Sequence, residues 1–119
     1  MENMENITAA AEMDDDLELV LKLKKPYQFD GREYTEVDLH GLEDATGADI
    51  NAVNKILTKM GVVSPTPEMT SDFAQLMAAR VAHLPVEFFR GLPAREVMKL
   101  KNIVTGFLYG GDGEDYPPP

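Results

Sequence analysis

A chain of 119 residues with no cysteine and a formal charge of -10 has room for one domain with a modest apolar core, and it excludes disulfides, thiolate metal sites and cysteine nucleophiles together. The acid excess argues against a nucleic-acid binder, because phosphate contacts need clustered Lys and Arg. No run approaches the roughly 18 apolar residues of a membrane span, and the N-terminus lacks the basic-then-apolar order of a secretory signal, so the expectation is a soluble intracellular protein without membrane contact.

Residues 1–16 hold six acids and no base, lack sustained periodicity, and are expected to be a disordered acidic arm. Adjacent Asp14, Asp15 and Asp16 cannot all converge on one cation without a turn to fold them. From Leu17 the pattern changes. Leu17, Leu19, Leu21 and Leu23 alternate with Glu18, Val20, Lys22 and Lys24, the period of a strand with one buried face. Pro26 is expected to end that strand or mark its edge. Phe29-Asp30-Gly31-Arg32 is a turn signal, and the return strand is residues 33–39. A two-residue turn would set Leu23 opposite Asp38, whereas one extra loop residue sets Leu23 opposite Leu39, so a longer or bulged turn is predicted.

After a short connector at residues 41–45, Thr46 is the predicted N-cap of a helix over 47–60. Asp49 stands in its first turn, Ile50, Val53, Leu57 and Met60 follow at helical spacing, and Gly61 is the stop. Residues 62–69, with Pro65 and Pro67, should form an extended surface linker. Thr70, Ser71 and Asp72 are the next cap candidates, followed by Phe73, Leu76, Met77, Val81 and Leu84 as an apolar stripe and Ala74, Ala78 and Ala82 as a small-residue row for close helix packing. Pro85 ends this helix. One short turn then carries Phe88 and Phe89, and Pro93 opens a last helix whose Val97, Leu100, Val104, Phe107 and Leu108 face inward. Leu21, Leu23, Leu57, Val81, Leu100, Val104 and Phe107 are the predicted core.

Residues 111–119, with Asp112, Glu114, Asp115 and a triple proline, are expected to be a flexible tail. The fold class is therefore α+β: an N-terminal β-hairpin followed by about three main helices in a single domain over residues 17–110. No phosphate loop, nucleophile elbow or paired-histidine helix is present, and the residues near His40, namely Asp38, Glu43 and Asp44, do not converge by spacing alone. No enzyme activity, cofactor or metal is predicted. Tyr27, Phe29 and Tyr34 are expected to pack around the hairpin rather than stack on bases.

With these residues laid out, the chain resembles the tail assembly chaperones of contractile-tailed bacteriophages and related prophages. The resemblance runs from about Leu17 to Tyr109. It rests on Leu23-Lys24-Lys25-Pro26, Phe29-Asp30-Gly31-Arg32, Glu36-Val37-Asp38-Leu39, Thr46-Gly47-Ala48-Asp49-Ile50, Leu84-Pro85 and Ile103-Val104-Thr105-Gly106-Phe107-Leu108. His40-Gly41-Leu42 and Arg95-Glu96 depart from the family's pattern. The resemblance implies a non-enzymatic chaperone that binds the tape measure protein in the host cytoplasm, keeps it soluble until the tail tube polymerises around it, and is absent from the mature virion. The tail tube protein and a second copy of the chain are further partner candidates. Met60, Met77, Met98, Phe88 and Phe89 are the candidate partner-binding residues, since flexible apolar side chains suit an adaptable groove. A small acidic adaptor or inhibitor of a host protein, or a structural tail component, is the alternative reading.

Overall fold

The computed structural model describes residues 19–110. The expectations for the arm at 1–16, for Leu17, and for the tail at 111–119 lie outside the described residues. Strands β1 (Val20–Phe29) and β2 (Arg32–Asp38) form a two-stranded antiparallel sheet. Helices α1 (Gly47–Lys59), α2 (Ser71–Ala82), the short α3 (Val86–Arg90) and α4 (Ala94–Thr105) follow, so three main helices and one brief one pack with the hairpin.

The hairpin corrects the predicted register. Its turn is tight, with Asp30 and Gly31 at φ 52° and 79°, both in the left-handed region of a two-residue turn of the type whose twist matches the strands. Phe29 pairs with Arg32, and Tyr27 with Tyr34. The extra chain lies instead inside β1: between the pairs Lys22–Glu36 and Tyr27–Tyr34 the ladder shifts, and Leu23 to Pro26 bulge outward opposite Thr35 alone. Pro26, which has no N–H to give a ladder, sits in the bulge, so the strand does not end there. The physical reason is parity. Tyr34 and Val37 both turn inward although they stand three positions apart, which regular pairing along the whole ladder would forbid. The bulge absorbs that change of phase. Leu23, displaced by it, is half-buried rather than core, while Leu39 donates its N–H to the Leu19 carbonyl at 2.7 Å.

Helix ends follow local chemistry. The Thr46 hydroxyl accepts the Ala48 N–H at 3.2 Å, and the Asp49 carboxylate accepts the Thr46 N–H at 2.8 Å. Asp49 also accepts from Arg80 Nε at 2.7 Å, tying the start of α1 to the end of α2; that bond, with the Thr46 N–H, holds its carboxyl below the usual aspartate range. At the far end of α1, Gly61 takes φ 82°, so that its own N–H reaches Thr58 O and the Val62 N–H reaches Leu57 O. Thr70 caps α2 by accepting the Phe73 N–H at 3.1 Å. His83, not Pro85, stops that helix: it adopts φ 59°, one of the two non-glycine residues with positive φ among those described. Residues 40–44 form a single 3-10 turn that buries Leu42, and the linker holds another at Pro67–Met69.

The core joins Leu19, Leu21, Val37 and Leu39 of the hairpin region to Val53 and Leu57 of α1, Phe73 and Met77 of α2, Phe88 and Phe89 of α3, and Leu100 and Val104 of α4. Ala74 and Ala78 are buried, and α2 packs most closely against α4. Val81 is half-buried. Phe107 is corrected to the surface, at 37% exposure, because α4 does not continue regularly to it: residues Gly106–Gly110 wind as a π turn. A wider turn carries the stripe off the α-helical period, leaving Leu108 as the half-buried residue there.

Candidate partner-binding surface

The five side chains named from sequence separate by depth. Met77, Phe88 and Phe89 are fully buried. Phe88 is the hub of the aromatic cluster, with ring centroids 5.1 Å from Tyr27, 5.3 Å from Phe29, 4.8 Å from Tyr34 and 4.9 Å from Phe89, all in edge-on arrangements. They present no surface in this conformation. Met60 and Met98 do, at 43% and 50% exposure.

Other exposed apolar groups escaped the sequence reading. Ile56 and Met60 lie four residues apart, hence on one face of the end of α1, and the Met60 sulfur takes an Arg90 guanidinium N–H at 3.6 Å. Val63 is 95% exposed. The signal for it was available: in an extended linker consecutive residues point to opposite sides, so Val62 and Val63 cannot both be buried, and Val62 is the half-buried one.

A second feature lies at the β1 bulge. Leu23 to Tyr27 face Leu92, Pro93, Arg95 and Glu96 across an open cleft of about 340 Å³ with a largely apolar lining. Glu96 fastens its two walls. One carboxylate oxygen accepts the Lys24 N–H at 2.8 Å; the other lies 2.8 Å from Lys99 Nζ, at ion-pair distance but off the line of a good hydrogen bond. Lys99 Nζ in turn donates to the Lys22 carbonyl at 2.7 Å. The two side chains thereby occupy an edge N–H and an edge C=O that a neighbouring strand would otherwise take. Burial pushes the Glu96 carboxyl up, but the Lys99 ammonium and the Lys24 N–H outweigh it, and the net shift is downward.

A carboxyl whose pKa is lower folded than unfolded gives stability that is present above the unfolded pKa and lost as pH falls through the folded one. Glu96→Gln is expected to cost on the order of 1–3 kcal/mol at pH 7. Urea denaturation of the two proteins should show that gap closing as the pH falls below the ordinary glutamate range, where the wild-type carboxyl takes its proton. A gap independent of pH would assign the cost to shape rather than charge.

Polar chemistry elsewhere is sparse. The Asp38 carboxylate accepts both the N–H and Nδ1 of His40, at 2.9 and 2.7 Å, a contact within the turn that lowers the aspartate pKa. Among the described residues no group of three His, Cys, Asp or Glu could hold a metal ion, and no helix is long and apolar enough to cross a membrane.

The family profile described as phage tail assembly chaperone proteins, E, or 41 or 14, matches residues 20–109. No curated protein and no solved structure matches the chain significantly.

Proposed function

Because the chain belongs to the phage tail assembly chaperone family, we propose that it binds the tape measure protein of a contractile-tailed phage and keeps it soluble until tube subunits polymerise around it. The extent of the match carries this reading: residues 20–109 span nearly all of the described 19–110, so the similarity is to a whole folded unit. The chaperone is non-enzymatic, works in the host cytoplasm and leaves before the virion is complete. Ile56, Met60 and Val63 form one contact patch and Met98 another, with Met77, Phe88 and Phe89 supporting them from within. Exposed apolar groups of this kind suit the apolar stripe of an amphipathic helix, and flexible methionines tolerate its irregularities.

Co-expression with the phage's own tape measure protein tests the proposal. The wild-type chain should carry that protein into the soluble fraction, and the complex should survive added salt because its contacts are mainly apolar. Met60→Asp with Val63→Asp should abolish the rescue without lowering the melting temperature, since both side chains are exposed. A tape measure protein that stays insoluble beside the wild-type chain sinks the reading, and recovery of the chain from purified virions would make it a structural component instead.

A further inference from the structure

The cleft beside the β1 bulge carries a charge opposite to that of the chain around it. The protein has a net charge of -10, yet the cleft is lined by three cations, Lys24, Lys25 and Arg95, and a single carboxylate, Glu96. The Glu96 oxygens are already committed to the Lys24 backbone N–H and to the Lys99 ammonium. Among the described residues, no acid forms an ion pair with Lys24, Lys25 or Arg95, and all three side chains are exposed. Low-dielectric walls concentrate the field of such a rim, so the cleft attracts carboxylates more strongly than the same cations would on an open surface.

Between the cations the lining is apolar, with Leu23, Pro26 and Tyr27 on one wall and Leu92 and Pro93 on the other. Its 340 Å³ lies at the low end of the range for small-molecule sites, about 300–1,000 Å³, which suits one large side chain and its own backbone rather than a whole cofactor. A lone anion would use the rim and leave the floor unfilled. A purely apolar ligand would do the reverse, and a peptide that carries both chemistries uses both. The site is also stiff. The Tyr27 hydroxyl donates to the Phe88 carbonyl at 2.9 Å, the Glu96 bond ties Lys24 to α4, and the fixed φ of Pro26 and Pro93 restrains each wall. A ligand therefore meets a preformed site and loses little affinity to ordering it.

We propose that this cleft binds a short acidic segment of a partner protein, with one apolar side chain such as leucine on the floor and flanking carboxylates against Lys24, Lys25 and Arg95. The inference stands on charge, lining and stiffness, and is independent of the tape measure reading. Its consequence is a contact that salt weakens, unlike the mainly apolar contact assigned to Ile56, Met60, Val63 and Met98.

Titration of the isotope-enriched full chain with the blocked peptide Glu-Glu-Leu-Glu-Glu tests the proposal. The amides of Leu23, Lys24, Lys25, Tyr27 and Arg95 should shift in a saturable way, while Asp30 and Gly31 at the hairpin tip stay still. Binding should weaken about tenfold or more as the ionic strength rises from about 0.05 M to about 0.5 M, and about tenfold when Ala replaces the central Leu. Lys24→Glu, Lys25→Glu and Arg95→Glu together should abolish the response and confer binding of Lys-Lys-Leu-Lys-Lys instead. The bond to Glu96 uses the Lys24 backbone N–H, which these changes retain. If the reversal disturbs the spectrum as a whole, the Gln versions replace it with the same expected loss. No saturable shift at these amides, shifts at another face, or indifference to the rim charges overturns the proposal. So does an equal response to a thymidine oligonucleotide of the same charge, which would make the rim a general anion surface. The same shifts on concentrating the protein alone would seat a second copy in the cleft and overturn it as well.

Discussion

Phe88→Ala should lose about 3–5 kcal/mol of folding stability, the range for removing a fully buried phenylalanine. The value should fall in the upper part of that range because the ring is packed edge-on by four others, and such pairs are worth about 0.5–1.5 kcal/mol each beyond their burial. The hydrogen bond that the Tyr27 hydroxyl donates to the Phe88 backbone carbonyl, 2.9 Å, survives the substitution, so the loss reports the ring. Tyr27, Phe29 and Tyr34 come from the turn half of the hairpin and α3 from the far side of the chain. Against a total stability of about 5–15 kcal/mol for a small domain, the variant should detach the hairpin tip or unfold outright. Phe107→Ala, at 37% exposure, serves as the comparison and should cost about 1 kcal/mol or less. A denaturation midpoint for Phe88→Ala close to that of the wild type would remove Phe88 from the core and return it to the candidate surface.

What was legible in advance was the period and the punctuation. Leu19 and Leu21 fixed a strand face, Thr46 with Asp49 fixed the start of α1, Gly61 its end, and the residues at 73, 76 and 77 the buried side of α2. The register was less accessible because two compensations are silent in one dimension. A two-residue turn at Asp30-Gly31 and a bulge at Leu23 to Pro26 give the apolar face the same net continuity as one enlarged loop. The odd spacing of Tyr34 and Val37 was the trace of the bulge, visible only if both are assumed inward. The candidate surface was harder still. Burial of Phe88 and Phe89 depends on rings contributed from about 60 residues away in sequence, a tertiary fact that a run of five residues cannot contain. Exposure of Ile56 and Met98 is the complement of the helix stripes and follows once those are right. Glu96, by contrast, had no local signal: an acid one residue after Arg95 reads as solvent-facing until the β1 bulge lends it the Lys24 N–H.

Helix α4 gives the sharpest separation between holding the fold and meeting a partner, since Leu100 is fully buried and Met98, two residues earlier, is 50% exposed. Residues two apart on a helix point about 200° from one another, so the two side chains lie on opposed faces. Leu100→Ala should cost on the order of 2–5 kcal/mol, the lost transfer energy plus the cavity left between α4 and α2, which backbone relaxation fills only partly. Met98→Asp should change stability by no more than about 0.5 kcal/mol, as exposed substitutions generally do, yet it puts a charge into a proposed apolar contact and should weaken partner binding severely. The paired measurement is a thermal melt of each variant alone, followed by co-expression of each with the tape measure protein at a temperature where both are folded. The expected pattern is crossed: Leu100→Ala melts early but still solubilises the partner, and Met98→Asp melts normally and solubilises it poorly. If Met98→Asp retains full activity, α4 is a packing helix only, and the contact surface is confined to Ile56, Met60 and Val63 at the end of α1.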